Sequence, residues 1–202
     1  MLIDGPSLLA LAVVLGAIVY YVFFRNVWLA RRMKPLVELL DAGTARLEGG
    51  RLSGKYAGKR AWFEYHAQTR AGPAAMRIGV SCGASFSFRI HKQAESLQPA
   101  ERACLENLEE GSLDAVKSGD PLWDSELALA AEGEASFRRW VNRPDVHEAV
   151  GTIALRPLTT ILLCKDGALW AVYPGASAEA VFQDRFAREA LGELVSLSET
   201  LA

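Results

Sequence analysis

The sequence predicts an α+β protein in which one N-terminal transmembrane helix precedes an antiparallel β-sheet with packed helices. Three observations carry this expectation. Residues 8–24, LLALAVVLGAIVYYVFF, are a run of 17 residues without a charge. Between residues 51 and 92, and again near the end of the chain, short stretches of strand-forming residues are separated by glycine turns. Elsewhere apolar residues recur at helical spacing. Strands first, then helices, then a hairpin and a helix, point to antiparallel pairing rather than to alternating βα units.

The apolar run comes first. At 1.5 Å per residue it spans about 26 Å. Pro6 and Ser7 before it, and Val27, Trp28 and Leu29 after it, extend it towards the thickness of a bilayer core. Residues 1–30 are therefore read as a transmembrane anchor. A cleaved signal peptide fits less well, because residues 1–7 contain Asp4 but no Lys or Arg, and no A-x-A pattern follows the run. Tyr20, Tyr21 and Trp28 lie near its C-terminal end, where amphipathic rings favour the interface. Arg25, Arg31, Arg32 and Lys34 follow, whereas only the amino terminus precedes. This bias puts the N-terminus outside and the folded part in the cytoplasm, at a bacterial inner membrane. Ala12 and Gly16 have the small-xxx-small spacing of dimerising helices, a pattern that is common in Ala-rich spans.

Residues 31–50 read as a juxtamembrane helical stalk. Within them 33–48 carry Leu36, Val37, Leu39, Leu40 and Leu47 at helical positions, and Gly49-Gly50 stops the helix. Residues 51–202 form the α+β cytoplasmic domain. Residues 51–56 and 59–68 flank Ala57-Gly58 as a hairpin. Residues 75–82 and 85–90 read as a second hairpin around Gly83, with Phe86, Phe88 and Ile90 on its buried face. Residues 99–110 read as a helix, 117–121 as a turn and 126–131 as a strand. Two helical pieces, 135–141 and 145–155, are separated by Arg143-Pro144. Residues 159–164 and 168–173 make the clearest hairpin, around Lys165-Asp166-Gly167. Residues 177–201 read as one long amphipathic helix capped by Ser177. The order of strands then helices occurs twice, over 51–110 and 126–200. That allows two related half-domains with a subdivision near 93–120, although no residue-level repeat supports them.

Charge is unevenly spread. Residues 44–92 carry nine Lys or Arg against two Glu, and residues 93–202 carry nine against nineteen Asp or Glu. The basic part adjoins the anchor. Arg51, Lys55, Lys59 and Arg60 are therefore expected to join Arg25, Arg31, Arg32 and Lys34 at an anionic membrane surface, each gaining about 1 kcal/mol there. The competing reading is a solvated face. Nucleic acid is not an expected partner, since the chain as a whole is acidic and the basic stretch carries no binding motif.

Catalytic patterns are missing. His66, His91 and His147 are widely separated, and neither H-E-x-x-H nor G-x-S-x-G occurs. Gly54-Lys55 sits in a glycine-rich run, but Tyr56 stands where a phosphate loop has Ser or Thr. Cys82, Cys104 and Cys164 are dispersed and read as buried small hydrophobes. Asp120, Asp124 and Glu126 form an acidic cluster whose alternatives are turn chemistry and contact with a cation. No cofactor or metal is expected.

Two motifs resemble a group of uncharacterised bacterial membrane-associated proteins. The run Leu52-Ser53-Gly54-Lys55-Tyr56-Ala57-Gly58-Lys59-Arg60 is similar to their G-x-Y-x-G-[KR] strand start. Gly119-Asp120-Pro121-Leu122-Trp123-Asp124 is similar to their G-D-x-x-[FW]-D element. The resemblance implies the same closing hairpin and helix and brings no assigned activity. The functional expectation is a membrane-anchored accessory or interaction module without catalysis, whose partners are the lipid bilayer and another membrane protein or complex subunit. The alternatives are a membrane-tethered domain that binds a small ligand or lipid headgroup, and an enzyme of unrecognised class. A homodimer through the anchor is a further expectation.

Overall fold

The computed structural model describes residues 5–48, 50–68, 73–108, 113–158, 160–175 and 177–201, the side chains of 5–10, 21, 25 and 177 excepted. Helix α1 runs without a break from Gly5 to Val37. Its part from Leu11 onwards is long and apolar enough to cross a membrane. Leu11, Val14, Ile18, Val22 and Phe23 all face solvent in the isolated chain.

The strands are β1 (Arg46–Glu48), β2 (Arg51–Tyr56), β3 (Lys59–His66), β4 (Ala75–Ser81), β5 (Phe88–Lys92), β6 (Asp114–Val116), β7 (Leu127–Ala131), β8 (Ile161–Lys165) and β9 (Ala168–Pro174). Among the described residues they form one nine-stranded sheet in the order β1-β2-β3-β4-β9-β8-β5-β7-β6, with every pairing antiparallel. The remaining helices are α2 (Pro99–Glu106), α3 (Pro121–Glu126), α4 (Glu134–Val141), α5 (Pro144–Ala154), α6 (Ser177–Ala180) and α7 (Asp184–Glu199). The fold is thus the expected α+β, with a nine-stranded antiparallel sheet and packed helices.

Period-2 alternation divides the strands between two faces. Phe63, Ile78, Ala171, Leu162, Ile90 and Leu129 point to one face, which the end of α1 and helices α4, α5 and α7 cover to make the main core. On the other face α2 covers only a small patch, Cys104 and Leu108 against Ala75, Ile161 and Val172. The rest of that face stays open.

Two hairpins form where local chemistry asks for them. Ala57 and Gly58 both have positive φ, 49° and 79°, as do Asp166 and Gly167, 52° and 72°. Such two-residue turns match the twist of antiparallel strands.

Several expectations need correction. The stalk over 31–50 is not a stalk: α1 ends at Val37, and residues 46–48 are strand β1. Met33, Leu36, Leu39 and Leu40 are buried against the sheet, and burying that apolar face outweighs the helical pattern that ran on to 48. Strands β4 and β5 are not a hairpin. β9 takes the edge of β4, while β5 inserts between β8 and β7. For the same reason the two strand-rich segments are interleaved in one sheet and do not form separate half-domains. The helix expected over 177–201 is broken into α6 and α7, with Val181 and Phe182 buried at the break. Helix α3 fills the stretch between the expected turn at 117–121 and β7, to which no element was assigned. Helix α2 ends at Glu106, and residues 109–112 lie outside the described residues.

Candidate functional site

Two places gather residues that the fold alone does not require. The first is the junction between α1 and the domain. Leu29, Met33 and Leu36 follow one another along one side of α1 and are fully or almost fully buried, each worth about 1.5–3 kcal/mol relative to exposure. Next to Leu29, the Trp28 ring lies 5.5 Å from that of Tyr65 and 6.3 Å from that of Phe182. The Arg32 guanidinium sits 5.4 Å from the Trp28 ring and 5.6 Å from the Phe182 ring. Its Nη1 donates to Glu179 Oε2 at 3.0 Å. Both ends of that ion pair are half exposed, so it adds at most about 1 kcal/mol. The apolar wedge beneath it sets the geometry.

The second place is the open sheet face, where Trp62 and Trp170 flank Gly79 on neighbouring strands. Their rings stack with centroids 5.5 Å apart and planes 22° apart. A Cβ on residue 79 would lie 2.5 Å from the Trp170 ring, so glycine is what lets the indole lie flat on the sheet. The Arg51 guanidinium covers Trp62 at 5.3 Å, and its Nε donates to Glu64 Oε1 at 3.1 Å. Glu64 also has His66 Nε2 at 3.7 Å. The nearby His66 ring and the charges of Arg51 and Arg77 outweigh burial and hold the Glu64 carboxyl below its ordinary range. Arg77 stands directly across from Glu64 in the register. Its Nε is nevertheless buried with no hydrogen-bond partner among the described residues, at a cost of about 1–3 kcal/mol. These side chains surround a cavity of about 640 Å³. The end of α2 and the β8–β9 turn, with Lys165 and Asp166, close its two ends.

The structure does not bring the eight expected membrane-surface cations together. Arg31 and Lys34 are exposed on α1 just beyond its apolar part, and Arg32 is engaged as described. Arg51 belongs to the cavity. Gly50, beside it, lies against Leu29, whereas Gly54 lies against Leu40. Strand β2 therefore runs away from the apolar segment of α1. Lys55, Lys59 and Arg60 sit at its far end, about 13 Å or more beyond Arg51. The side chain of Arg25 lies outside the described residues, as does that of Tyr21. Tyr20 is exposed beside Phe24, with ring centroids 4.3 Å apart, and Trp28 turns into the junction.

The acidic cluster is turn chemistry. Asp120 caps α3, its Oδ1 accepting from Leu122 N at 2.8 Å and Trp123 N at 3.4 Å. Asp124 Oδ1 accepts from Ser118 N and Oγ at 2.8 and 2.9 Å. Glu126 is exposed and joins neither. The cysteines hold a feature that spacing hides. Cys82 and Cys164 lie 82 positions apart with their Sγ atoms 3.7 Å apart. The Cys164 thiol, and behind it Ala84 and Lys59, stabilise the Cys82 thiolate against burial and bring its pKa down to about 6. The same contact pushes the Cys164 thiol up.

No protein-family model matches the chain, and no curated protein matches it. Among solved structures it is similar to the crystal structure of the mycobacterial trehalose monomycolate transport factor A, TtfA, at 12% sequence identity, over 82% of this chain and 77% of that one, with a TM-score of 0.49.

Proposed function

We propose that this chain is a single-pass protein of a bacterial inner membrane, with its folded domain on the cytoplasmic side. In this reading it works without catalysis, as an accessory module for another membrane protein. The observation that supports it is the continuity of α1, which passes from a membrane-compatible segment straight into the core through Leu29, Met33 and Leu36. A flexible linker would let a domain sample a wide volume. A helix wedged into the core holds it at one height and one angle, which suits a protein that presents surfaces to a neighbour in the same membrane. Arg31 and Lys34, exposed just after the apolar stretch, support the cytoplasmic orientation together with Arg25 and Arg32. Ala12 and Gly16 lie on the exposed surface of α1, where small residues allow close helix approach, in a homodimer or with the partner.

The test is purification of the full-length chain in a mild detergent after an alkaline carbonate wash of the membranes. The expected result is retention in the washed membranes and recovery of a second membrane protein at a fixed ratio. Release by carbonate, or recovery of the chain alone, overturns the reading.

A further inference from the structure

We propose that the open face of the sheet is a binding site for a phosphate ester with a flat or apolar body, its charge held at Arg77 and its body against Trp62 and Trp170. The inference goes beyond the accessory role, since it concerns the face turned away from α1 and holds on either side of a membrane.

Size comes first. A cavity of about 640 Å³ falls in the range of small-molecule sites, about 300–1,000 Å³. The floor is aromatic: two indoles, each largely buried, are stacked at 5.5 Å and pressed to the sheet by the absence of a side chain at Gly79. Such rings offer flat apolar area at little entropic cost. Both tryptophans line the cavity at the centre of the sheet, where β3, β4 and β9 lie side by side.

Charge decides the class of ligand. Arg51, Arg77 and Lys165 line the cavity, and Asp166 is the one carboxylate among the lining residues. Glu64, just behind, is already occupied by Arg51 and His66. Arg77 lies across from Glu64 and lines the cavity, and its buried Nε has no hydrogen-bond acceptor among the described residues. A guanidinium fork suits the oxygens of a phosphate. The helical side of the domain is more acidic: the groove between α5 and α7 is lined by Asp145, Glu148, Glu189 and Glu193 against Arg188. An anion is therefore drawn to the open face and away from the helical one. A soluble phosphate ester and an anionic phospholipid offer the same chemistry here.

The test uses the full-length chain in phosphatidylcholine nanodiscs, titrated with 1-naphthyl phosphate in a calorimeter. The expected result is one saturable site per chain, weakened about tenfold or more by Arg77→Gln. Trp170→Ala weakens it as well, while Arg188→Gln on the helical side leaves it unchanged. Arg77→Lys, which keeps the charge, falls between wild type and Arg77→Gln. Arg51→Glu, at an exposed position, gives a second reading if Arg77→Gln fails to fold. Equal affinity in the wild type, Arg77→Gln and Arg51→Glu overturns the proposal, and so does equal affinity for uncharged 1-naphthol. Competition then separates the sources. Displacement by dihexanoyl phosphatidylglycerol and not by its phosphatidylcholine counterpart supports a lipid headgroup at this site. Binding that neither lipid disturbs supports a soluble ester at the same site.

Discussion

The acidity of Cys82 comes from a neighbour 82 positions away. A thiolate is the nucleophile in alkylation. With its pKa drawn down to about 6, Cys82 reacts at neutral pH while Cys104, raised by burial, and Cys164 stay protonated. Iodoacetamide at pH 7 should therefore label Cys82 first, as read by mass spectrometry. In Cys164→Ala the thiol donor is gone, and the midpoint should return towards about 8.5. Equal labelling of all three cysteines would refute the pairing. His91 supplies a pH dependence of stability. Burial holds its pKa below the ordinary value, against the help of its 2.6 Å hydrogen bond to the Lys92 carbonyl. The unfolded chain takes up that proton first, so stability is full above about pH 6.5 and falls as the pH drops from there through the folded pKa. A melting series from pH 7.5 to 5 should show the loss in the wild type and a flatter profile in His91→Gln, within about that window. At Gly79, alanine would meet the Trp170 ring, and overpacking of this kind costs about 1–3 kcal/mol. A Gly79→Ala variant with unchanged melting temperature and tryptophan emission would mean that the indole does not lie as described.

Helix α1 tests the element scale. If its C-terminal third is core, Leu36→Ala should cost about 2–5 kcal/mol of domain stability in a detergent melt. Arg32→Ala, which removes a half-exposed ion pair and ring contact, should cost about 1 kcal/mol or less. A silent Leu36→Ala would restore the detached stalk that the sequence pattern implied. The elements also show where sequence reading succeeds. Both two-residue turns are visible in the sequence because positive φ is a preference of the one or two residues involved, and Gly58 and Gly167 state it. The alternation of Phe86, Phe88 and Ile90 marks a strand correctly, with Phe88 and Ile90 buried in the core. It does not reveal the partner. Pairing β4 with β9 instead of β5 depends on which hydrophobic faces can be covered together, a choice made between segments some 90 residues apart in sequence.

For the whole molecule, the opposite charges of the open sheet face and the helical layer become a consequence of the fold. In sequence they were only a basic first half and an acidic second half. Orientation is testable at this scale too. In the proposed arrangement, Ser96→Cys, exposed on the domain surface, should resist a membrane-impermeant maleimide in intact cells and react once the membrane is permeabilised. Labelling from outside would reverse the topology while leaving the anchor in place.

The sequence by itself determined the apolar helix, the antiparallel α+β class and the two tight turns. Each rests on properties carried by single residues or by neighbours a few positions apart: hydropathy, strand propensity and backbone freedom. The tertiary structure alone decided that α1 ends inside the core, that the nine strands among the described residues interleave in one sheet, and that Trp62, Trp170, Arg51 and Arg77 share a cavity. It also decided that Cys82 meets Cys164. Those outcomes depend on which distant surfaces exclude water together, and no local stretch of chain carries that information.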